Sequence, residues 1–380
     1  MRIGIEAQRI FRKDKHGMDY VVLHEIMEIQ KIDIENEYFV FVAPGEDRCL
    51  ENTKNVHIIE IGGNFYPLWE QFTLPRAAKK YNLDMLHCTS NTAPIYCQIP
   101  IILTLHDIIF LEPRNQSNKS FYQNLGWYYR RIIVPIIINK CKIIITVSNI
   151  EMNNIRQTLN IPKEHICMIH NGYNNYFQRF PDYKQVVDKY IKSDKYFFHF
   201  ANTDPRKNTE RTLLAYAIYL NTSTIKRQLL ITGINHKQLT CILEKNHIEY
   251  IYNNIVLTGY IPGNDLPSIY NGSFALLFAS LREGFGIPIL EAMSCGTPVI
   301  TSNTSSMPEI GGEDAILVNP KKSDEIAEMM LLLEKDDLFY QKQVEYGIQR
   351  AQLFSWRKTA EQLLSVYERI YQQQSSTEEI

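Results

Sequence analysis

Short β-branched and apolar segments recur along the first half of the chain, separated by longer stretches with helical character. Each segment is too short for a helix, and several are apolar at consecutive positions, which is typical of strands covered on both faces. The pattern therefore predicts a parallel α/β sheet. The segments are residues 2–7, 38–42, 57–59, 85–88, 101–105, 143–147 and 168–170.

The same alternation restarts after a polar stretch near residues 181–195. It predicts a second set of strands at residues 196–200, 228–231, 255–257, 274–278, 299–301 and 316–318. The stretch between the two sets is rich in Tyr, Asn, Lys and Asp, which is typical of a linker and its flanking loops. A length of 380 residues also exceeds what one hydrophobic core usually supports. We therefore predict two α/β domains with a boundary near residue 185.

Charge and composition narrow the possible functions. With 40 basic and 42 acidic residues the formal net charge is -2, so no global field attracts nucleic acid or anionic lipid. The 7 cysteines are widely spaced and form no CxxC pair, which favours reduced thiols. Charged residues come too early for a signal peptide, and no apolar run reaches about 18 residues. We expect a cytoplasmic protein with no nucleic-acid partner and at most peripheral contact with the inner face of the membrane.

The most informative stretch covers residues 280–300, immediately after a predicted strand. Gly284 and Gly286 form a Gly-x-Gly turn, Pro288 is typical of the first helical position, and Gly296 is typical of the helix end. Such glycines let the backbone approach a ligand, while the N–H groups at a helix start favour phosphate. A ligand-free strand-to-helix turn is the simpler alternative. Ile289 stands where the dinucleotide fingerprint has its third glycine, so an NAD site is disfavoured.

Two carboxylates flank this turn. Glu283 lies in the loop and Glu291 lies about one turn into the predicted helix. Beside a bound diphosphate, two carboxylates are unfavourable unless they accept hydrogen bonds from hydroxyls, which sugars and riboses supply. The alternative is that each is a solvated charge favoured by the helix dipole.

This stretch resembles a known family signature. Residues 283–286, 291–293 and 295–299 are similar to the glutamate-x7-glutamate motif of family 4 retaining glycosyltransferases. The resemblance implies the GT-B fold, in which two Rossmann-like domains with parallel sheets face each other across a cleft. It assigns residues 1–185 to an acceptor-side domain and residues 186–356 to a nucleotide-sugar-binding domain. It also implies that a C-terminal helix at about 357–372 packs back on the first domain.

The resemblance implies roles for the residues of the motif. Glu291 is expected to bind the ribose hydroxyls of the donor nucleotide. The loop before it is expected to hold the transferred sugar and the diphosphate through Glu283, Gly284, Phe285, Gly286 and Ile287.

A basic loop follows the first strand of the second domain. Residues 202–208 resemble the family loop that neutralises the departing diphosphate, which makes Arg206 and Lys207 the leaving-group residues. Asn202 stands where many members have an arginine, and Arg206 is a candidate to supply that charge instead. The alternative is a solvated basic turn. No Asp-x-Asp pattern occurs in the sequence, so we expect neither a metal ion nor any other cofactor.

Three residues of the first domain complete the predicted site. His106 and Asp107 end a predicted strand and resemble the family's His-Asp element. The resemblance places His106 at the transferred sugar, and gives Asp107 a supporting role there or at the acceptor. Gly17 resembles the glycine that lets the backbone approach the donor phosphate. Its simpler interpretation is a glycine that opens a helix.

Residues 127–133 interleave aromatic residues with arginines. This pattern is compatible with a lipid-facing helix. A packed interdomain or surface helix is the favoured interpretation, so we predict no strong membrane partition from the sequence.

The resemblance predicts a hexosyltransferase-type enzyme that moves a sugar, with retention, from a nucleotide-sugar donor to a glycan or lipid-linked acceptor. Polysaccharide biosynthesis is the family's commonest setting. The alternative is an epimerase-like or purely nucleotide-sugar-binding protein with the same fold.

Overall fold

The computed structural model describes residues 1–63, 65–112 and 121–378. The chain divides into two compact units. The first unit combines Met1–Gly172 with the C-terminal segment that starts at Trp356, and the second unit is Tyr173–Ser355. Each unit contains one parallel sheet and its own hydrophobic core.

The first unit has a sheet of seven parallel strands. These are β1 (Arg2–Glu6), β2 (Glu37–Val42), β3 (Val56–Glu60), β4 (Met85–Cys88), β5 (Ile101–Thr104), β6 (Ile143–Thr146) and β7 (Ile166–Met168). Their order is β3-β2-β1-β4-β5-β6-β7, so β1 pairs with β2 on one side and with β4 on the other. Each strand overlaps one of the segments predicted from apolar runs. The α/β fold class predicted from the sequence is confirmed.

Helices cover both faces of this sheet. The helices before the second unit are α1 (Gly17–Ile32), α2 (Tyr66–Leu68), α3 (Leu74–Lys80), α4 (Phe121–Ile137) and α5 (Asn149–Leu159). A π-turn at Trp69–Thr73 joins α2 to α3. Along β2, Val40 points into the core under α1, whereas Phe39 and Phe41 point into the core under α3, α4 and α5. Burial on both faces explains why strand positions are apolar in succession.

The second unit has a sheet of six parallel strands. These are β8 (Tyr196–Phe200), β9 (Leu229–Thr232), β10 (Ile255–Gly259), β11 (Ser273–Phe278), β12 (Val299–Ser302) and β13 (Ile316–Val318). Their order is β10-β9-β8-β11-β12-β13. The chain order reverses between β8 and β11, and crevices at such switch points are where α/β sheets bind ligands.

The helices of the second unit lie between and after these strands. They are α6 (Lys184–Val187), α7 (Thr209–Thr222), α8 (His236–Lys245), α9 (Leu266–Gly272), α10 (Ile287–Ser294), α11 (Met307–Gly311), α12 (Ser323–Lys335) and α13 (Asp337–Ala351). Helices α7 and α12 contribute Tyr216, Leu213 and Met330 to the main core.

The division between the units falls at Gly172 and Tyr173, thirteen residues before the predicted boundary at 185. The polar segment after Tyr173 packs on the second unit. The Phe177 ring lies 5.8 Å from the ring of Tyr270, and the Asn271 side-chain amide donates to the Gln178 carbonyl at 2.9 Å. Composition identified this stretch as a linker, but its few apolar and amide contacts assign it to the second unit.

The last helix, α14 (Trp356–Glu378), packs on the first unit. Leu363, Tyr367 and Ile370 lie in the core beneath α1. The Tyr367 hydroxyl lies 2.8 Å from Nδ1 of His87 on β4, and Nε2 of the same ring lies 2.7 Å from the Thr104 hydroxyl. Burial lowers the pKa of His87 to about 3, so the ring is neutral and joins helix to sheet through hydrogen bonds alone.

A buried carboxyl lies in the same core. Glu25 of α1 is inaccessible to solvent except at its edge, and burial raises its pKa to about 8. Glu25 is therefore protonated in the folded protein at neutral pH. Folding takes up a proton here, because the same group titrates near 4.5 in the unfolded chain.

We predict that Glu25→Gln stabilises the first unit increasingly as the pH rises. The contribution of a group with a raised pKa is complete below 4.5 and is lost as the pH passes through about 8. Glu25→Gln has no such loss, so its advantage in free energy of unfolding should be near zero at pH 4.5 and on the order of 4 kcal/mol at pH 8. The free energy of unfolding in urea, measured for both proteins at the two pH values, tests this prediction.

Tryptophan fluorescence isolates the first unit in that experiment. All 3 tryptophans, Trp69, Trp127 and Trp356, belong to it. Glu35→Gln, at an exposed position after α1, is the control and should show no such trend. An advantage of Glu25→Gln that is independent of pH contradicts the burial argument.

Candidate active site

The basic loop after β8 is held rigidly at the carboxyl edge of the second sheet. Its 3₁₀ turn, Pro205–Lys207, is capped by the Asp204 side chain, which accepts the Arg206 N–H at 3.1 Å. Asn208 follows in the left-handed region with φ of 58°. Its side-chain amide donates to the carbonyls of Ala279 at 2.8 Å and Pro320 at 2.7 Å. The loop is thereby tied to the ends of β11 and β13.

Each of the two cations of this loop is paired with a carboxylate. Lys207 Nζ lies 2.7 Å from Glu283 Oε1. The Arg206 guanidinium binds both oxygens of Asp204, at 3.2 and 3.0 Å. The Asn202 side-chain oxygen accepts the Asp204 N–H at 2.8 Å and so supports that turn. Both cations of the loop are therefore neutralised by a nearby carboxylate. The basic sequence of the loop alone did not predict these pairs.

The glycine turn leads directly into α10. Gly286 is the N-cap of this helix, with φ of 112°, a conformation that favours glycine. A Cβ at this position would also lie 3.1 Å from Cδ1 of Ile289. The helix begins at Ile287, so Pro288 is its second residue rather than the first as predicted. It still lies in the first turn, where no N–H partner is lost. The N–H groups of this turn can bind an anion.

Serine side chains fix the loop that carries Glu283. The Ser306 hydroxyl lies 2.7 Å from the carbonyl oxygen of Phe285 and 3.1 Å from that of Glu283. The Ser305 hydroxyl lies 2.7 Å from the Glu283 carbonyl oxygen and 3.2 Å from its nitrogen. These serines follow β12, and the sequence analysis did not single them out as site residues. The hydroxyl-rich run 302–306 was the signal that could have identified them.

Glu291 lies half-buried in the second turn of α10. Its Oε2 accepts a hydrogen bond from the buried Tyr270 hydroxyl at 2.9 Å. Burial raises the pKa of Glu291 to about 7, and the Tyr270 hydrogen bond opposes that rise. The Tyr270 ring lies 6.2 Å from the ring of Phe200 at the end of β8. Sequence reasoning missed Tyr270, because a tyrosine in an apolar helix is more often only a core residue.

In the first unit, His106 and Asp107 follow the carboxyl end of β5. His106 is buried, and its Nε2 lies 3.0 Å from the Thr89 carbonyl oxygen. A carbonyl only accepts, so Nε2 carries the proton and Nδ1 of the neutral ring is an acceptor. Burial lowers the pKa of His106, which favours this neutral form. The Asp107 carboxylate accepts the Ile109 N–H at 3.0 Å and caps the following turn.

Gly17 is the first residue of α1, as its simpler interpretation predicted. A Cβ built on it would meet no atom within 4 Å, so the fold itself does not require glycine here. Within the ranges that the structure describes, no group of three or more His, Cys, Asp or Glu side chains could hold a metal ion.

The structure thus brings the predicted residues together in three groups. Lys207 and Glu283 share an ion pair, with Arg206 in the same turn. Glu291 follows on α10, eight residues after Glu283. His106 and Asp107 lie together in the other unit.

Family models match both halves of the chain. The model described as Glycosyltransferase Family 4 matches residues 26–175. The model described as Glycosyl transferases group 1 matches residues 184–350, which include the basic loop and the glutamate motif.

Two curated relatives share much of the chain. O-antigen chain mannosyltransferase B of Escherichia coli is 30% identical over 280 residues, which cover 70% of this chain and 69% of the relative. O-antigen chain mannosyltransferase RfbU of Salmonella typhimurium is 28% identical over 253 residues, which cover 64% of each protein.

Solved structures show the same fold at low identity. The Anabaena protein Alr3699/HepE, in complex with UDP-glucose, superposes with a TM-score of 0.74 at 18% identity, covering 97% of this chain and 100% of that one. WaaG, a glycosyltransferase involved in lipopolysaccharide biosynthesis, gives a TM-score of 0.72 at 13% identity, covering 96% and 99%. The GT-B fold class predicted from the sequence is confirmed.

We predict that Asn208 is required for the stability of the second unit. Asn208→Ala removes the side-chain hydrogen bonds to the Ala279 and Pro320 carbonyls and the one from Arg211. It also places alanine in the left-handed region, which asparagine tolerates better, so it should cost about 3 kcal/mol. Asn208→Gly removes the same bonds without the backbone strain and should cost less. Urea unfolding followed by circular dichroism measures both variants.

Tryptophan fluorescence provides the internal control, since it reports only the first unit and should be unchanged. Equal stability of wild type and Asn208→Ala would show that the two carbonyl contacts do not hold the loop.

Proposed function

Because the chain belongs to glycosyltransferase family 4 and is a hexosyltransferase-type enzyme, we propose that it transfers a hexose from a nucleotide-diphosphate sugar to a glycan or lipid-linked glycan. Transfer retains the anomeric configuration and needs no metal ion. The observation that carries this proposal is the Lys207–Glu283 ion pair, directly upstream of the Gly286 turn and the start of α10.

The diphosphate of the donor binds where cations and a helix start act together. The N–H groups of the first turn of α10 and the Lys207 ammonium are both suited to phosphate oxygens. Before the donor binds, Glu283 balances the charge of Lys207 at 2.7 Å. Once the diphosphate neutralises Lys207 in place of Glu283, the Glu283 carboxylate is available to accept hydrogen bonds from sugar hydroxyls. The Arg206 guanidinium contacts the diphosphate after it has released the Asp204 carboxylate.

The ribose of the donor binds at Glu291. A carboxylate accepts hydrogen bonds from two vicinal hydroxyls, and the Tyr270 hydroxyl keeps one of its oxygens oriented. In the first unit, we assign His106 to the transferred sugar, because its Nδ1 can accept a hydrogen bond from a hydroxyl. Asp107 supports this turn. Gly17 leaves room for the donor phosphates near the start of α1.

Catalysis consists mainly of stabilising the leaving group. The bond between the anomeric carbon and the diphosphate oxygen breaks, the diphosphate leaves with the electron pair, and an acceptor hydroxyl attacks the same face. Fixed positive groups at the diphosphate lower this barrier without reorganisation during the reaction. Intact Glu283, Glu291 and Lys207 distinguish this proposal from a purely nucleotide-sugar-binding protein.

The relatives suggest the substrates to test first. Both curated relatives above are mannosyltransferases of O-antigen chains, which favours a mannosyl donor and a growing surface polysaccharide as acceptor. The seven cysteines are free thiols, which supports a location in the reducing cytoplasm. Within the described residues, no helix has the length and apolar character needed to cross a bilayer.

We expect Lys207→Ala to lower kcat on the order of a hundredfold, because one well-placed charge at the leaving group is worth about 3 kcal/mol. A panel of GDP-, UDP-, ADP- and dTDP-sugars first identifies the donor by thermal shift, and donor turnover is then measured.

Lys245→Ala is the matched control, since Lys245 forms an exposed ion pair of 2.8 Å with Glu210 on α7. It should leave turnover unchanged. A decrease in kcat of less than about threefold in Lys207→Ala would contradict the leaving-group role of Lys207.

We further expect donor affinity to rise with pH through about 7, the pKa of Glu291. Only the ionised carboxylate accepts two hydrogen bonds, so protonation below that pH weakens binding. Calorimetry with an intact nucleotide sugar is suitable, because its diphosphate diester does not titrate in this range.

Two variants test whether Glu291 is the group whose titration sets the midpoint of the pH dependence. Tyr270→Phe removes the hydrogen bond that lowers the pKa of Glu291, so the midpoint should move upward. Glu291→Gln should bind weakly and without this pH dependence. A midpoint that persists in Glu291→Gln belongs to another group and contradicts the assignment.

A further inference from the structure

Glu6 is a charged residue buried at the carboxyl end of β1. It is inaccessible to solvent, like the core residues Ile3 and Ile5 of the same strand. A carboxylate loses much hydration on burial, so hydrogen-bond donors must replace the lost water. Here Oε1 accepts the Gln8 N–H at 3.1 Å, and Oε2 accepts the Thr89 N–H at 3.3 Å. Both oxygens of the Glu6 carboxylate are therefore bonded to backbone donors.

A second contact holds Thr89 against Glu6. The Thr89 hydroxyl lies 2.6 Å from the Glu6 carbonyl oxygen and 3.2 Å from Oε2, and its single proton serves one of these oxygens at a time. Thr89 is itself buried and follows the last residue of β4. Because its N–H and its hydroxyl are both bonded to Glu6, the position of the Thr89 carbonyl group is fixed as well.

The segment at residues 89–91 in turn holds His106 at two points. The ring Nε2 of His106 donates to the Thr89 carbonyl oxygen at 3.0 Å. The backbone N–H of His106 donates to Oδ1 of Asn91 at 2.7 Å. Asn91 has φ of 67°, in the left-handed region that asparagine adopts more readily than most residues. The ring and the backbone of His106 are therefore both positioned by the 89–91 segment.

The order of the sheet explains how a residue on β1 controls one that follows β5. Strand β4 lies between β1 and β5, so the 89–91 segment at its carboxyl end lies between Glu6 and His106. A carboxylate accepts at both oxygens, whereas an amide accepts at one atom and donates at the other. Because both oxygens of Glu6 accept backbone N–H groups, the site is specific for glutamate over glutamine.

We propose that Glu6 is a positioning residue for His106. Acting through Thr89, it holds the imidazole in the tautomer with the proton on Nε2, so that Nδ1 remains an acceptor for a hydroxyl of the transferred sugar. Asn91 fixes the backbone of the same histidine. The hydrogen bonds and the tautomer are properties of the free protein, and only their consequence for turnover rests on the proposed function.

Nitrogen NMR of ring-labelled histidine tests the positioning without substrate. The chain has 10 histidines, and the signals of His106 are those absent from His106→Gln. At neutral pH, wild type should show a neutral His106 ring with the proton on Nε2. In Glu6→Gln the new NH2 group faces a backbone N–H in either orientation of the amide, so the Thr89 carbonyl should move. The ratio of the Nε2–H to the Nδ1–H tautomer should then fall at least about fivefold.

A matched pair of substitutions at Thr89 tests the same link without changing a charge. Thr89→Val removes the hydroxyl at nearly constant volume and should also shift the His106 signals. Thr89→Ser keeps the hydroxyl and should preserve them. Glu25→Gln is the control, because Glu25 is likewise a buried carboxyl of the first unit but lies on α1. It should leave the His106 signals unchanged, and circular dichroism confirms that each variant is folded.

Turnover of the donor then tests whether the positioning matters to the reaction. Glu6→Gln should lower kcat roughly tenfold, because a small displacement of a group at the reacting centre is costly. In the His106→Ala background the same substitution should have little further effect, since residues that act through one another are not additive.

Two results overturn the proposal. One is that the His106 signals are unchanged in both Glu6→Gln and Thr89→Val. The other is that Glu6→Gln lowers kcat by the same factor whether residue 106 is histidine or alanine. A shifted tautomer in Glu6→Gln, together with full turnover in His106→Ala, supports the positioning role and counts instead against the sugar-binding role of His106 in the proposed function.

Discussion

Parallel pairing is the constraint on which the rest of this structure depends. Strands that run in the same direction end at the same edge of a sheet, and the chain returns through a helix on one of the two faces. In the first unit this return places α1 and α14 on one face and α3, α4 and α5 on the other. In the second unit it gathers the turns after β8 and β11 at one edge. Lys207 lies 76 positions before Glu283 in the sequence, and topology rather than local structure brings the two residues to that edge.

Rigid supports then decide how charges are presented at the edge. Asn208 ties the basic loop to two strand ends, and the hydroxyls of Ser305 and Ser306 hold the carbonyls of the glutamate loop. With the backbone fixed, Lys207 and Glu283 neutralise each other. An anionic ligand that replaces one partner releases the other for a second contact. Groups fixed in this way need no reorganisation when charge develops beside them, which is the basis of the catalytic role proposed above.

Helix α4 illustrates how one element serves packing and surface chemistry together. Its inner residues fill the core, while its outer row, Tyr128, Ile132 and Ile136, remains apolar and is bordered by cations. A polar outer face would satisfy folding equally well, since surface positions contribute little to stability. The apolar row on the outside of α4 is therefore not explained by packing of the core.

The sequence by itself determined the fold class and the approximate positions of the strands, because a strand buried on both faces is apolar at successive positions. It also determined the chemistry-bearing motif, since Gly284, Gly286 and Pro288 can form only a narrow range of local structures. The placement of the boundary before Tyr173, the carboxylate partners of Arg206 and Lys207, and the Tyr270 hydroxyl on Glu291 were decided by tertiary structure. Each of these depends on contacts between residues far apart in the chain, or on which of several nearby groups comes within hydrogen-bond distance. Local patterns of apolar and polar residues do not predict those distances, because the distances are set only when the helices pack on the sheet.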